Sequence, residues 1–204
     1  MIERIKSFFE NSKIALDKID NEKIVKAIHL IDETRKNKKN IFLFGNGGSS
    51  ATASHFAGDL SKWSAGEGKI PTKVICLTDN TAILTALTND NGWDNVYTEQ
   101  LKNFTGPGDL IIGFSVHGGK GVEKSGVWSQ NMTKAIDLVH QKGGKSLGFT
   151  GFDGGAMEKL CTVNVNIPID STPQVEGLHS LVAHLIAEEL REIAVGQDIN
   201  KLRK

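Results

Sequence analysis

Five short apolar runs, at residues 41–44, 74–77, 110–114, 146–150 and 163–167, alternate with longer stretches whose apolar residues recur at helical spacing. This alternation leaves few options. A strand that is apolar throughout is buried on both faces, so it needs cover on both sides. Strand and helix taking turns then argue for a parallel sheet covered by helices on both faces. Two amphipathic helices precede the first run, over 2–18 (Ile2, Ile5, Phe8, Phe9) and 21–37 (Ile24, Ala27, Ile28, Ile31). A long helix from about 173 to 195 closes the chain, with Leu178, Leu181, Val182, Leu185 and Ile186 as its apolar positions. The 204 residues suit one domain over 1–204, in which 1–37 serves packing or oligomerisation.

Composition removes several function classes. Lys and Arg balance Asp and Glu at 24 each, which argues against a nucleic-acid-binding tail or a polybasic membrane patch. No apolar run reaches the length of a membrane span. The first residues carry an early acid and no long apolar core, so they do not read as a secretory signal. Cys76 and Cys161 lie in apolar surroundings and read as buried thiols rather than a disulfide, which fits a cytoplasmic protein.

In an open parallel sheet, ligands sit beyond the carboxyl ends of the strands. Residues 46–50, 78–80, 115–119 and 150–155 follow four of the apolar runs, and they are polar with little positive charge. Such loops suit a hydroxyl-rich ligand whose phosphate is held by backbone N–H groups and helix N-termini. The turn at 45–50, Gly-Asn-Gly-Gly-Ser-Ser, is near the dinucleotide pattern but has Ser in place of its third Gly. It also lacks the Lys of a nucleotide P-loop. Ser115 and His117 sit in no Gly-x-Ser-x-Gly elbow, which argues against a hydrolase. Trp63, Trp93 and Trp128 are too scattered for a stacking platform and read as core or interface residues.

His55 and Asp59 are four residues apart on the helix that the glycine turn opens, so they share a face. Glu176, His179 and His184 lie on the final helix. His55, Asp59, Glu176 and His184 form a nitrogen/oxygen set suited to zinc or a similar ion. Glu176 and His184, however, are eight residues apart, a rise of roughly 12 Å on a straight helix. One ion reaches both only if the helix start is irregular or if a second subunit supplies one of them. His179 lies on another face and reads as a packing or interface residue.

At these residues the chain resembles the sugar isomerase (SIS) domain family, and within it the phosphoheptose isomerases. The anchors are Gly-Asn-Gly-Gly-Ser at 45–49, His-Phe-Ala-Gly-Asp at 55–59, Asn89-Asp90, Gly-Asp-Leu at 108–110 and Thr-Gly-Phe-Asp-Gly-Gly at 150–155. Thr-Pro-Gln-Val-Glu-Gly-Leu-His at 172–179 with His184 completes them, and the resemblance spans nearly the whole chain. It implies a three-layer, flavodoxin-like sandwich on a five-stranded parallel sheet, and a homotetramer with active sites at subunit interfaces. It implies interconversion of sedoheptulose 7-phosphate and D-glycero-D-manno-heptose 7-phosphate. The acid/base pair falls on Asp59 and His184, and the zinc ligands on His55, Asp59, Glu176 and His184. The sugar-binding positions fall on Asn46, Gly47, Ser49, Asn89 and Asp90, with Glu176 beside them. The phosphate loop falls on Ser115 to Gly119, including His117 and Gly118, and on Ser129. The resemblance also admits a non-catalytic SIS protein that binds a sugar phosphate, or a protein partner such as the bacterial replication initiator.

Three positions depart from the family pattern. Asp59 stands where a glutamate is usual and is one methylene shorter. Glu176 stands where a glutamine is usual and adds a charge. The serine-rich phosphate loop reads Ser-Val-His-Gly-Gly at 115–119, followed by an apparent insertion in which Lys120 or Lys124 is expected to supply positive charge as the segment folds over the phosphate.

Overall fold

The computed structural model describes residues 1–62, 71–119 and 129–195. Trp63, Trp128, Lys120 and Lys124 lie outside the described residues. In chain order the elements are α1 (Ile2–Asp17), α2 (Asn21–Lys36), β1 (Asn40–Gly45), α3 (Gly48–Lys62), β2 (Lys73–Cys76) and α4 (Thr81–Asn91). A 3-10 turn (Trp93–Asn95) leads into α5 (Val96–Leu101) and β3 (Leu110–Ser115). Then come α6 (Gln130–Gln141), β4 (Lys145–Gly151), α7 (Met157–Leu160), β5 (Val163–Ile167) and α8 (Thr172–Val195).

Among the described residues, one five-stranded sheet has the order β2-β1-β3-β4-β5, and every pairing is parallel. This is the flavodoxin-like order. β1, β3 and β4 are buried almost throughout, whereas the edge strand β2 is half exposed. The two-residue period of a strand divides the core. Ile41, Leu43, Leu110, Ile112 and Phe114 face α2, α3 and α8, while Phe42, Phe44 and Ile111 face α5 and α6. Phe114 and Phe149 stack at 4.5 Å across β3 and β4 on the first of these faces.

Local signals account for several element boundaries. The Asp20 carboxylate caps α2 by accepting from Glu22 N at 2.9 Å, and Asn80 caps α4 by accepting from Ile83 N at 3.2 Å. Asp109 is 3% exposed and accepts from Asn40 N at 2.8 Å and Gly106 N at 2.8 Å, so it pins the starts of β1 and β3 together. The motif at 108–110 is thus part of the scaffold. α1 buries only Ala15, and Ile2, Ile5, Phe8 and Phe9 stay exposed. Both cysteines are unpaired and half-buried, and burial pushes the Cys161 thiol up to about 12. No helix among the described residues is long and apolar enough to cross a membrane.

The strand order reverses between β1 and β3, where Gly45 pairs with Phe114. A crevice opens at such a switch point, beyond the carboxyl ends of the two strands. The turn after β1 and the loop after β3 meet there.

Candidate functional site

The turn after β1 has little freedom. A Cβ on Gly45 would lie 2.6 Å from the backbone of Ser49, and Gly47 has φ +57°. Helix α3 therefore starts at once, with Ser49 buried in its first turn. A Cβ on Gly48 would lie 2.4 Å from Glu176 Oε1, so the Glu176 carboxylate rests against the positive end of α3.

The loop after β3 is shaped by the loop after β4. Gly151 N donates to Val116 O at 3.0 Å, and Met157 N donates to Gly118 O at 2.9 Å. Gly118 has φ +61°, and a Cβ there would lie 2.0 Å from Gly154 O. Beneath these turns Asn164 Nδ2 donates to Thr150 Oγ1 at 2.7 Å, which donates to Asn166 Oδ1 at 2.9 Å. His179 is fully buried, as expected of a packing residue, and its Nε2 donates to Thr150 O at 3.0 Å. Desolvation lowers its imidazole to about 4, so it stays neutral.

Asn46, Ser49, Ser115, His117, Ser129 and Glu176 line one cavity of about 150 Å³ at this junction. Its polar groups are hydroxyls, an amide, an imidazole and one carboxylate. That set matches sugar and phosphate oxygens approached by hydrogen-bond donors rather than by cations. Behind it Asn46 and Asn131 exchange two hydrogen bonds, at 3.2 and 3.1 Å. The Tyr97 hydroxyl reaches Gly45 O at 2.6 Å and Asn46 Oδ1 at 3.0 Å. Burial raises the Tyr97 phenol above its ordinary value, which keeps it a donor. Asn89 and Asp90 are exposed at the end of α4, bond to each other at 2.7 Å, and do not line the cavity.

A second cluster lies further along the packed pair α3 and α8. One ligand atom from each of His55, Asp59 and His184 falls within 4.8 Å of the others. His184 Nδ1 is 3.2 Å and His55 Nε2 is 3.6 Å from the same oxygen, Asp59 Oδ2. That oxygen is buried and accepts no hydrogen bond. A buried carboxylate oxygen left without a donor, facing two imidazoles, fits a divalent cation, and two nitrogens with one oxygen are a donor set zinc accepts. The cluster forms within one chain. Glu176 lies two helical turns away from it, against α3's first turn, so a single chain does not bring all four expected ligands together. Tyr97 and Asn131, which the sequence did not single out, stand 51 and 85 residues from Asn46, and no spacing rule links them to it.

The fold and this pair of sites define a class, and the chain belongs to the SIS domain family, whose model matches residues 7–125. The chain is 36% identical over 187 residues to the phosphoheptose isomerase of Aliarcobacter butzleri, covering 90% of this chain and 93% of that one. It is 41% identical over 146 residues to the lincomycin biosynthesis protein LmbN of Streptomyces lincolnensis, covering 70% of this chain and 52% of that one. Among solved structures, phosphoheptose isomerase GmhA from Neisseria gonorrhoeae superimposes with a TM-score of 0.80 at 29% identity, covering 92% of this chain and 97% of that one.

Proposed function

We propose that the protein is an aldose–ketose isomerase that interconverts sedoheptulose 7-phosphate and D-glycero-D-manno-heptose 7-phosphate. The observation that carries this reading is the buried Asp59 carboxylate held 3.2 Å from the His184 imidazole, on the same two helices as a hydroxyl-lined cavity. Relatives named phosphoheptose isomerase, similar over most of the chain, support the substrate.

The reaction moves two protons and needs no redox cofactor. One leaves the ketose C1 and returns at C2, through an enediol. The other passes from O1 to O2. Asp59 and His184 are the acid/base pair, a carboxylate and an imidazole placed to take up and return these protons. Asn46 and Ser49 orient sugar hydroxyls, and Ser115, Gly118 and Ser129 hold the phosphate with His117 beside them. His55, Asp59 and His184 would hold zinc or a similar ion. Such an ion polarises a carbonyl and stabilises negative charge on its oxygen.

The working form is a homo-oligomer, a tetramer with shared sites. Two features support this. The roughly 12 Å between Glu176 and His184 keeps Glu176 out of its own chain's cluster, so in a shared site another subunit would supply it. Ile2, Ile5 and Phe9 on α1 and Leu181 and Leu185 on α8 are exposed apolar residues that a second copy would cover. Two unpaired thiols fit the cytoplasm.

Incubation with sedoheptulose 7-phosphate and zinc, followed by NMR, should show the aldose heptose 7-phosphate. Asp59→Asn should lower the rate by about 100-fold or more. Sugar-phosphate binding without turnover would overturn the isomerase in favour of a non-catalytic binding protein. A monomer in light scattering would overturn the shared site.

A further inference from the structure

Tyr97 and Asn131 are fully buried polar residues that touch the candidate site only from behind. Tyr97 is on α5, packed edge-on against Phe44 at 5.1 Å, and Asn131 is in the first turn of α6. Both spend their hydrogen bonds on the turn after β1. The phenolic proton is shared between Gly45 O and Asn46 Oδ1. Asn131 Nδ2 donates to that same Asn46 Oδ1, and Asn131 Oδ1 accepts from Asn46 Nδ2.

A hydrogen-bond count for Asn46 shows what this achieves. A side-chain amide has two acceptor sites on oxygen and two N–H donors. Tyr97 and Asn131 engage the oxygen, and Asn131 takes one N–H. One N–H remains, on a residue that lines the cavity. Without the brace the amide could rotate and present its oxygen instead, which offers nothing to a phosphate or carbonyl oxygen. The Asn46–Asn131 pair also ties the turn after β1 to the start of α6, and so fixes the spacing between Asn46 and Ser129 across the cavity.

We infer that Tyr97 and Asn131 are positioning residues, which lock the Asn46 amide so that it presents a single N–H to an acceptor oxygen of the substrate. They act through Asn46 and do not touch the ligand. The identity of the ligand rests on the isomerase reading above; the brace itself rests on the hydrogen-bond count.

The test is a double-mutant cycle on the full-length protein, read by calorimetric binding of sedoheptulose 7-phosphate. Tyr97→Phe keeps the ring and removes only the hydroxyl. It should weaken binding about three- to tenfold, the range of one hydrogen bond, and raise KM by the same factor while kcat falls less. In the Asn46→Ala background the same substitution should change binding by less than about twofold. Wild-type affinity in Tyr97→Phe, or an equal loss in both backgrounds, overturns the proposal. If Tyr97→Phe does not fold, Asn131→Ala enters the cycle with the same expectations. Loss of turnover with binding intact in the wild type bears on the isomerase reading alone.

Discussion

Single side chains decide the electrostatics here. Glu176 places a carboxylate where the first turn of α3 offers its N–H groups, a position that also suits a substrate oxygen. Asp59, though a methylene shorter than the family's glutamate, still lies 3.2 Å from His184. His179 sets a pH limit on the fold. Its imidazole titrates near 4 when folded and near 6.5 when unfolded. Between those values the unfolded chain binds a proton that the folded chain refuses, so stability is full above pH 6.5 and falls as the pH drops. The loss reaches about 2 kcal/mol by pH 5 and about 3 kcal/mol by pH 4. Urea unfolding of wild type and His179→Gln at pH 7 and pH 5 checks this. The variant should lose less between the two pH values, and parallel losses would show that another group is responsible.

Elements show which parts of the molecule were legible in the sequence. The five strands are where the apolar runs lie: β1, β3 and β4, buried almost throughout, write a continuous signal, and the half-exposed edge strand β2 still carries Val74, Ile75 and Cys76. α1 also shows its helical period, but the pattern could not say that its apolar face would stay exposed within the chain. Asn46, Ser49, Ser115 and Ser129 converge, because each follows the carboxyl end of a strand or opens the next helix at the switch point. Asn89 and Asp90 lie on α4 and join no such junction. The interlocking of residues 115–119 with 151–157 was illegible, because it depends on contacts between glycines far apart in sequence. It makes Gly118 irreplaceable. Gly118→Ala must clear a carbonyl oxygen 2.0 Å away at positive φ, and should cost at least about 2 kcal/mol in chemical denaturation and most of the affinity for sugar phosphate. A variant with wild-type affinity would show that the loop tolerates reshaping.

At the scale of the whole molecule, α3 and α8 form a two-ended frame. The cavity is at one end, near Ser49 and Glu176, and the histidine cluster is further along. Because the cluster draws on both helices, its occupancy is coupled to the packing of α3 against α8 and through it to the fold. An ion that binds the folded chain and not the unfolded one stabilises it by about 2.7 kcal/mol at a concentration 100 times its Kd. If the proposed ion binds there, thermal stability becomes a readout of free metal concentration. Zinc should raise the melting temperature by several degrees, and Asp59→Asn should abolish the rise. With zinc at the proposed site, a cell that starved this protein of metal would lose it twice, first as a catalyst and then, as more chains unfold, in number.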